Sequence, residues 1–321
     1  MLAVQIQRTG GPEVLEVVDL PEPAPGPGEI LIRQEAVGLN FIDTYQRGGL
    51  YPMSLPAVVG NEGAGIVEAV GEGVERFAVG DRVGYAGGTG GYAELRTYPA
   101  ARAIKLPDGV STRLAAASLL KGMTAEFLLR RCFHVKSGDA ILVHAAAGGV
   151  GMILSQWGRA LGARVIGTVG SLEKAEVARA HGCEEVILYR QEDVAERVKA
   201  LTGGEGVRVV YDGVGADTFE ASLASLGRRG VLVTYGNASG PAPAFAPLKL
   251  MRGSLYVTRP TLFDYVATTE ELDESAGALF EVLTSGDVKI EIGQEFPLAE
   301  ARRAHEALEG RATVGSTLLI P

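Results

Sequence analysis

From Asp139 to Thr258 the sequence alternates short apolar runs with helix-patterned segments, and this alternation limits the fold more than any other feature. Strands are expected at Ala140–Ala145, Arg164–Val169, Val186–Tyr189, Val207–Tyr211, Gly230–Tyr235 and Ser254–Thr258. Between the first two, Val150, Ile153, Leu154, Trp157 and Leu161 share one helical face. Ser171 can cap a second helix that stops at Gly182, a third reaches Thr202, and a fourth spans Asp217–Leu226. Parallel strands need a crossover longer than a hairpin, and helices supply it. The pattern therefore predicts an α/β fold with a Rossmann-type, doubly wound parallel sheet.

The flanks read differently. Upstream, short apolar segments at Ile30–Arg33, Ala64–Val70 and Arg82–Tyr85 are separated by Pro and Gly clusters, which predicts a β-rich unit with many turns. Thr112–Arg131 is rich in Ala and Leu and reads as a helix. The tail carries a helix over Glu270–Ser285, with Leu272, Ala276, Leu279 and Leu283 on one face, a helix over Glu300–Glu309 and a strand over Gly315–Ile320. It is too short for a domain of its own and is expected to complete the first. The expected organisation is a β-rich catalytic domain, 1–121 plus 263–321, around an inserted nucleotide-binding domain, 122–262. A chain of 321 residues suits two domains and buries a core without disulfide or metal staples.

Composition closes several alternatives. A net charge of −9 argues against a chain whose main task is gripping nucleic acid. The two cysteines, Cys132 and Cys183, are too few for a disulfide framework or a four-thiolate zinc site, and they suit a reducing cytoplasm. The four histidines (His134, His144, His181, His305) form no H-x-x-x-H pair, so no metal site is expected. The N-terminal residues lack a basic stretch before an apolar core, so no secretory signal is expected. Apolar runs such as Leu114–Leu120 fall short of the roughly 20 residues of a membrane span. The G-x-S-x-G, Walker A and Y-x-x-x-K patterns are absent.

What remains is a glycine-rich turn, Ala145-Ala-Ala-Gly148-Gly149-Val150-Gly151, between an expected strand and an expected helix. Glycines let a pyrophosphate approach the backbone there, and the helix start offers free N–H groups and a positive dipole end. The spacing is A-x-x-G-x-x-G rather than G-x-G-x-x-G. Such turns also occur without a nucleotide, but about six βα units around this one favour a dinucleotide site. The second strand ends in Gly167-Thr-Val-Gly170-Ser171-Leu-Glu-Lys174, without the acidic residue that binds the ribose hydroxyls of NAD. Ser171 and Lys174 suit a 2′-phosphate instead, and Tyr189 can cover the same group or the adenine. The alternative is that Ser171 is only a cap and Lys174 only a solvated helix residue. The missing acid tips the choice to NADPH.

Taken with Gly10-Gly-Pro-Glu-Val-Leu15, Gly38-Leu-Asn-Phe-Ile-Asp-Thr-Tyr45, Arg47-Gly-Gly-Leu-Tyr-Pro52, Gly60-Asn-Glu-Gly-Ala-Gly65, Leu120-Lys-Gly-Met-Thr124, Val209-Val-Tyr-Asp-Gly-Val-Gly215, Tyr235-Gly-Asn-Ala-Ser-Gly240, Gly253-Ser-Leu-Tyr-Val-Thr-Arg-Pro260 and Arg311-Ala-Thr-Val-Gly-Ser316, the chain resembles the medium-chain dehydrogenase/reductase superfamily. Within it the resemblance is to zinc-free quinone oxidoreductases of the zeta-crystallin type, and it covers nearly the whole chain. It implies a GroES-like catalytic domain. Where the zinc alcohol dehydrogenases place a ligating Cys and His, this chain has Asn40 and Asn61, and amides are poor zinc ligands. Without a Lewis acid, alcohol oxidation is disfavoured and reduction of an electron-poor acceptor is favoured.

The resemblance implies roles residue by residue. Asn40, Tyr45 and Tyr51 would serve the reacting end, with Asn40 and Asp43 also on the nicotinamide half and Thr124 contacting it. Gly148, Gly149, Val150 and Gly151 would meet the pyrophosphate. Gly170, Ser171, Lys174 and Tyr189 would hold the 2′-phosphate. Gly215, Tyr235, Gly236 and Asn237 would lie along the cofactor, Leu255, Tyr256 and Val257 near the nicotinamide, and Arg311 would reach it from the tail. Turn or cap duty is the other account of Asn40 and Asp43, and packing that of Tyr51. The expected activity is zinc-independent reduction of a small quinone by NADPH. The same fold and cofactor also suit reduction of α,β-unsaturated ketones or aldehydes. A nucleotide-sensing, RNA-binding or bulk structural role is the alternative of another class. The strands at Val231–Tyr235 and Ser254–Thr258 would form an exposed sheet edge, and a homodimer is expected.

Overall fold

The computed structural model describes all 321 residues. They divide into two units: Met1–Met123 with Val266–Thr284 and Ile290–Pro321, and Thr124–Tyr265 with Ser285–Lys289.

The first unit opens with β1 (Leu2–Ile6), β2 (Glu16–Asp19), β3 (Glu29–Leu39), α1 (Phe41–Arg47), β4 (Ala57–Val58), β5 (Glu62–Val70), β6 (Arg82–Ala86), β7 (Leu95–Pro99), β8 (Ile104–Lys105) and α2 (Thr112–Phe127). Its central strand, β3, is antiparallel to both β5 and β7, and it extends six residues beyond the expected Ile30–Arg33 to Leu39. That length matters. In β3, Ile30–Ile32 are buried, Arg33 and Glu35 are exposed on either side of Gln34, and the strand then stays buried through Asn40, so the chain leaves the sheet inside the core and enters α1 there. Asn40 is the N-cap of α1, in extended conformation.

The second unit contains β9 (Ala140–Val143), α3 (Gly149–Ala160), β10 (Arg164–Val169), α4 (Leu172–Ala180), β11 (Glu185–Leu188), α5 (Val194–Leu201), β12 (Val207–Asp212), α6 (Phe219–Ser225), β13 (Leu226–Thr234), β14 (Tyr256–Thr258) and α7 (Leu262–Tyr265). All strand pairs are parallel, in the order β11-β10-β9-β12-β13-β14. This is the doubly wound order, and its direction reverses between β9 and β12, where ligands of such sheets bind beyond the carboxyl ends. Leu142, Ile166, Ile187, Val210 and Leu232 carry one continuous core across the strands. The expected helix over Thr112–Arg131 is α2 only to Phe127; a π-turn, Leu128–Cys132, follows.

The tail supplies α8 (Thr269–Ser285), β15 (Ile292–Pro297), α9 (Ala301–Glu309) and β16 (Ser316–Ile320). β16 pairs antiparallel with β3 and parallel with β15, so the end of the chain completes the sheet begun near residue 29. The fold is thus the expected doubly wound parallel sheet inserted in a β-rich unit.

Candidate active site

In the second unit the site is made of backbone. Gly148 caps α3, and no side chain caps it. The Gly148 N–H donates to Ala145 O and the Met152 N–H to Gly148 O, which leaves the amides of Gly149, Val150 and Gly151 without a protein acceptor. Residues 148–150 are only partly buried, so a ligand can reach them. Ala145 takes a positive φ of 51° in this turn, a conformation that costs an L-residue roughly 1–2 kcal/mol. A Cβ on Gly151 would stand 2.3 Å from Ala145 O and 2.9 Å from Ala146 Cα, so only glycine lets the helix start this close to the strand end. Three open amides at the positive end of a helix fit the pyrophosphate of a dinucleotide.

The end of β10 carries the second cluster. Ser171 caps α4, its Oγ accepting from the Lys174 N–H at 3.3 Å. Both expected readings of Ser171 therefore survive, because a capping hydroxyl keeps its own proton to donate. A Cβ on Gly170 would lie 2.7 Å from Tyr189 Oη and 3.4 Å from Arg190 Nε. Tyr189 and Arg190 are exposed and converge on the same glycine. The sequence reading missed Arg190, although a basic residue next to Tyr189 was the available signal. A guanidinium and a phenol converging on Gly170, with the Ser171 hydroxyl next to it in the chain, fit a phosphate monoester.

Asp212, at the end of β12, orders the third glycine turn. Its Oδ1 accepts from the Val214 and Gly215 amides, and both oxygens accept from Thr218 Oγ1. Gly215 has φ +95°, and Gly236 packs with its Cα against Gly213, where a Cβ would meet Gly213 O at 2.4 Å. The Tyr235 ring lies over Gly213, and Asn237 follows half-buried. Leu255, just before β14, belongs to the core, while on β14 Tyr256 is 60% exposed and Val257 half-buried, so Leu255 offers a ligand backbone rather than side chain. Thr124 is half-buried on α2. Beneath the first turn, His144 bridges Thr168 Oγ1 and Ser222 Oγ at 2.9 Å each, and Ser222 donates to Asp212. Burial holds the His144 pKa below the ordinary value, against the opposing charge of Asp212.

In the first unit the site is made of side chains. Asn40 Nδ2 donates to Glu62 Oε2 at 2.8 Å and to Gly38 O. Glu62, fully buried, also accepts from Lys121 Nζ at 2.9 Å and from the Leu120 amide. Asp43 Oδ2 accepts from the Asn40 N–H at 2.9 Å and from Tyr92 Oη at 3.0 Å, while Oδ1 accepts from Asn61 Nδ2 at 2.6 Å. Asp43 has no exposed surface, so it holds its neighbours in place rather than offering an oxygen outward. Its burial raises the carboxyl pKa to about 6, opposed by the donors from Asn61, Asn40 and Tyr92 and by the Lys121 charge. Tyr45 and Tyr51 are half-buried and meet edge to face, with ring centroids 5.5 Å apart. Arg311 is exposed, with a positive φ of 58°. Glu62, Lys121, Tyr92 and His305 escaped the sequence reading because no local motif ties them to Asn40.

The donor set does not fit a zinc ion. No group of three or more His, Cys, Asp or Glu side chains is placed to hold a metal. At the two positions corresponding to zinc ligands in related enzymes, Asn40 and Asn61 turn their N–H groups toward Glu62, Asp43 and Gln46. Amide protons pointed at the nearby carboxylates occupy the oxygens a cation would need.

A mainly antiparallel, GroES-like sheet and a six-stranded dinucleotide sheet in one chain define a medium-chain dehydrogenase/reductase. Family models agree: residues 26–108 match the alcohol dehydrogenase GroES-like domain and residues 149–278 the zinc-binding dehydrogenase domain. A quinone oxidoreductase of Pseudomonas aeruginosa is 52% identical over 321 residues, 99% of each chain. The Escherichia coli quinone oxidoreductase complexed with NADPH is 49% identical, covers 100% of both chains and superposes with a TM-score of 0.98. A 2-haloacrylate reductase of a Burkholderia species is 44% identical over 330 residues, covering 100% of this chain and 99% of that one. The chain belongs to the quinone oxidoreductase family of the medium-chain dehydrogenase/reductase superfamily.

Proposed function

We propose that this chain is an NADPH-dependent quinone oxidoreductase that works without zinc. The observation that carries the cofactor choice is the convergence of Tyr189 and Arg190 on Gly170, where no carboxylate closes β10 and Ser171 and Lys174 begin the next helix. NADPH, when bound, supplies the reducing equivalents for a flat, electron-poor acceptor. The amides of Gly149, Val150 and Gly151 bind the pyrophosphate, and the basic cluster binds the 2′-phosphate. The backbones of Gly215, Gly236, Asn237, Leu255 and Val257, with Thr124, Tyr235, Tyr256 and Arg311, are assigned to the rest of the cofactor. Asn40 orients the reacting end, its amide fixed by Glu62 on one side and its backbone by Asp43 on the other. Tyr45 is assigned as a hydroxyl near the acceptor and Tyr51 as an aromatic wall against it. Such a site works by pre-positioning rather than by acid catalysis.

The test is NADPH and NADH oxidation with a simple quinone, with and without a chelator. NADPH-selective, chelator-insensitive turnover is expected. Chelator-sensitive turnover would overturn the assignment of Asn40 and Asn61.

A second reading has specific support in the relative that reduces 2-haloacrylate: reduction of a carbon–carbon double bond conjugated to an electron-withdrawing group. A panel of quinones, enones and acrylates separates the two. A homodimer is proposed through β14, an edge strand beside the exposed Tyr256, Leu248 (72%) and Met251 (75%). Sedimentation at a single mass of one chain would refute it. The free thiols of Cys132 and Cys183 support a cytoplasmic setting.

A further inference from the structure

The buried polar side chains of the first unit form two chains of hydrogen bonds that meet at Asn40. The short one, Lys121–Glu62–Asn40, has been described. The long one runs from solvent to the Asn40 backbone through α9, α1 and the loop at Tyr92. Glu309 on α9, whose side chain is 38% exposed, accepts from both terminal nitrogens of Arg47 on α1, at 2.7 and 3.0 Å. Arg47 Nη1 lies 2.9 Å from His305 Nδ1, His305 Nε2 lies 2.9 Å from Tyr92 Oη, and Tyr92 Oη lies 3.0 Å from Asp43 Oδ2. Arg47 is 3% exposed, and Asp43, Tyr92 and His305 are fully buried.

The direction of every bond in this column is forced. A guanidinium only donates, so His305 Nδ1 accepts and the ring proton sits on Nε2. Nε2–H then donates to Tyr92, whose own proton is left to point at Asp43. Each group is satisfied in one way only, and the order is set by Arg47 at the solvent end. Burial and the Arg47 charge hold the His305 pKa down at about 3, so the ring stays neutral and the direction is kept.

We propose that Tyr92 and His305 are positioning residues for the reduction: through the Asp43 carboxylate they fix the backbone, and with it the amide, of Asn40. The proposal rests on the role assigned to Asn40 above. Asp43 takes its three donors from α1, β5's approach at Asn61 and the loop at Tyr92. The charged groups around it are Lys121 on α2, paired with Glu62 on β5, and Arg47 on α1, paired with Glu309 on α9. Removing the Tyr92 proton donor leaves the carboxylate one partner short and free to turn. Small displacements of a positioned group are costly to turnover, while binding energy gathered elsewhere is unaffected.

The experiment compares Tyr92→Phe, His305→Leu and His305→Gln, with Asn40→Ala as a control. It reads kcat and KM for NADPH per folded molecule across pH 5–8. Tyr92→Phe and His305→Leu should lower kcat by about tenfold with KM for NADPH within about twofold. Tyr92→Phe should also move the acid limb of kcat upward from about pH 6, because a hydrogen bond that stabilises the Asp43 carboxylate is gone. His305→Gln should restore most of kcat, since glutamine can accept from Arg47 and donate to Tyr92. A purely structural role would lower the melting temperature and leave kcat and the acid limb in place, and that result overturns the proposal. Full turnover in Asn40→Ala overturns the Asn40 assignment beneath it; impaired Asn40→Ala beside unaltered Tyr92→Phe and His305→Leu overturns the column alone.

Discussion

The first unit holds its candidate residues with buried side chains, whereas the second holds its own with backbone. Around Asn40, carboxylates, amides, a phenol, an imidazole and two cations pair inside the protein, nearly all of them without exposed surface. Around Gly149 there is little side chain at all, and the helix start presents N–H groups; at Gly215 a single carboxylate, Asp212, orders the turn from below. The two designs fail in opposite ways. A side-chain network is broken by taking one partner away, because the remaining polar group stays buried and unpaired. A glycine turn is broken by adding one carbon, because the space it needs is filled by backbone.

The sharpest break is expected at Glu62. Glu62→Ala strands the Lys121 ammonium, 8% exposed, and the Asn40 amide together. Losing one partner of a buried ion pair costs about 3–5 kcal/mol. Denaturant unfolding measures it, and a loss under about 1 kcal/mol would mean that Lys121 finds water.

The network should also write its signature into the pH dependence of stability. Below pH 6.5 the unfolded chain protonates His305 while the folded one does not until about pH 3, so this residue drains stability as pH falls through that window. Asp43 acts in the other direction. Between pH 3.8 and 6 the folded chain keeps a proton that the unfolded chain releases, so stability is gained as pH falls. In the native protein the two offset each other over their shared window. His305→Gln removes the first alone and should make the variant relatively more stable toward acid, by about 1.4 kcal/mol per pH unit at most. Parallel stability–pH curves for the two proteins would show that His305 is not held neutral.

On the backbone side, Gly151→Ala adds a Cβ that would meet Ala145 O at 2.3 Å. The turn must open and its amides splay, so NADPH affinity should fall roughly 10- to 100-fold with the fold retained. Fluorescence titration reads this directly, and unchanged affinity would show that the amides of 149–151 are not the pyrophosphate site.

These two designs were unequally legible in the sequence. The parallel sheet and the Gly148–Gly151 turn follow from local pattern, because a strand, a turn and a helix start are each written within a few neighbouring residues. The cap at Ser171 was legible for the same reason. Tyr92 and His305 were not, since 213 residues separate them and nothing local marks either. The helix α1 was also missed: seven residues long and starting inside the core, it lacks an amphipathic repeat. Even where the sequence marked Asn40 and Asp43, it left capping and function as rivals. Asp43 accepts from the Asn40 N–H and also anchors Asn61 and Tyr92, so one carboxylate does both.

Lys174→Ala sharpens the cofactor assignment. A lysine on a phosphate contributes a charge-assisted bond, about 1.5–3 kcal/mol where partly desolvated, so KM for NADPH should rise roughly tenfold or more. NADH carries no 2′-phosphate, and its KM should stay within about twofold. An equal rise for both would sink the 2′-phosphate site.

The smallest effect separates the two duties of Ser171. As the cap of α4, its Oγ accepts from the Lys174 amide at 3.3 Å. Replacing a capping serine by alanine costs about 1 kcal/mol, but by glycine only a few tenths, because glycine leaves the N–H groups open to water. A phosphate contact obeys a different rule: both substitutions remove the same hydroxyl. If Ser171 only caps, NADPH affinity should fall less in Ser171→Gly than in Ser171→Ala, in step with stability. If it also donates to the phosphate, the two variants should lose the same affinity, about threefold to tenfold, while differing in stability. The pair of variants, titrated with NADPH and NADH and melted side by side, therefore reads capping and binding on separate axes.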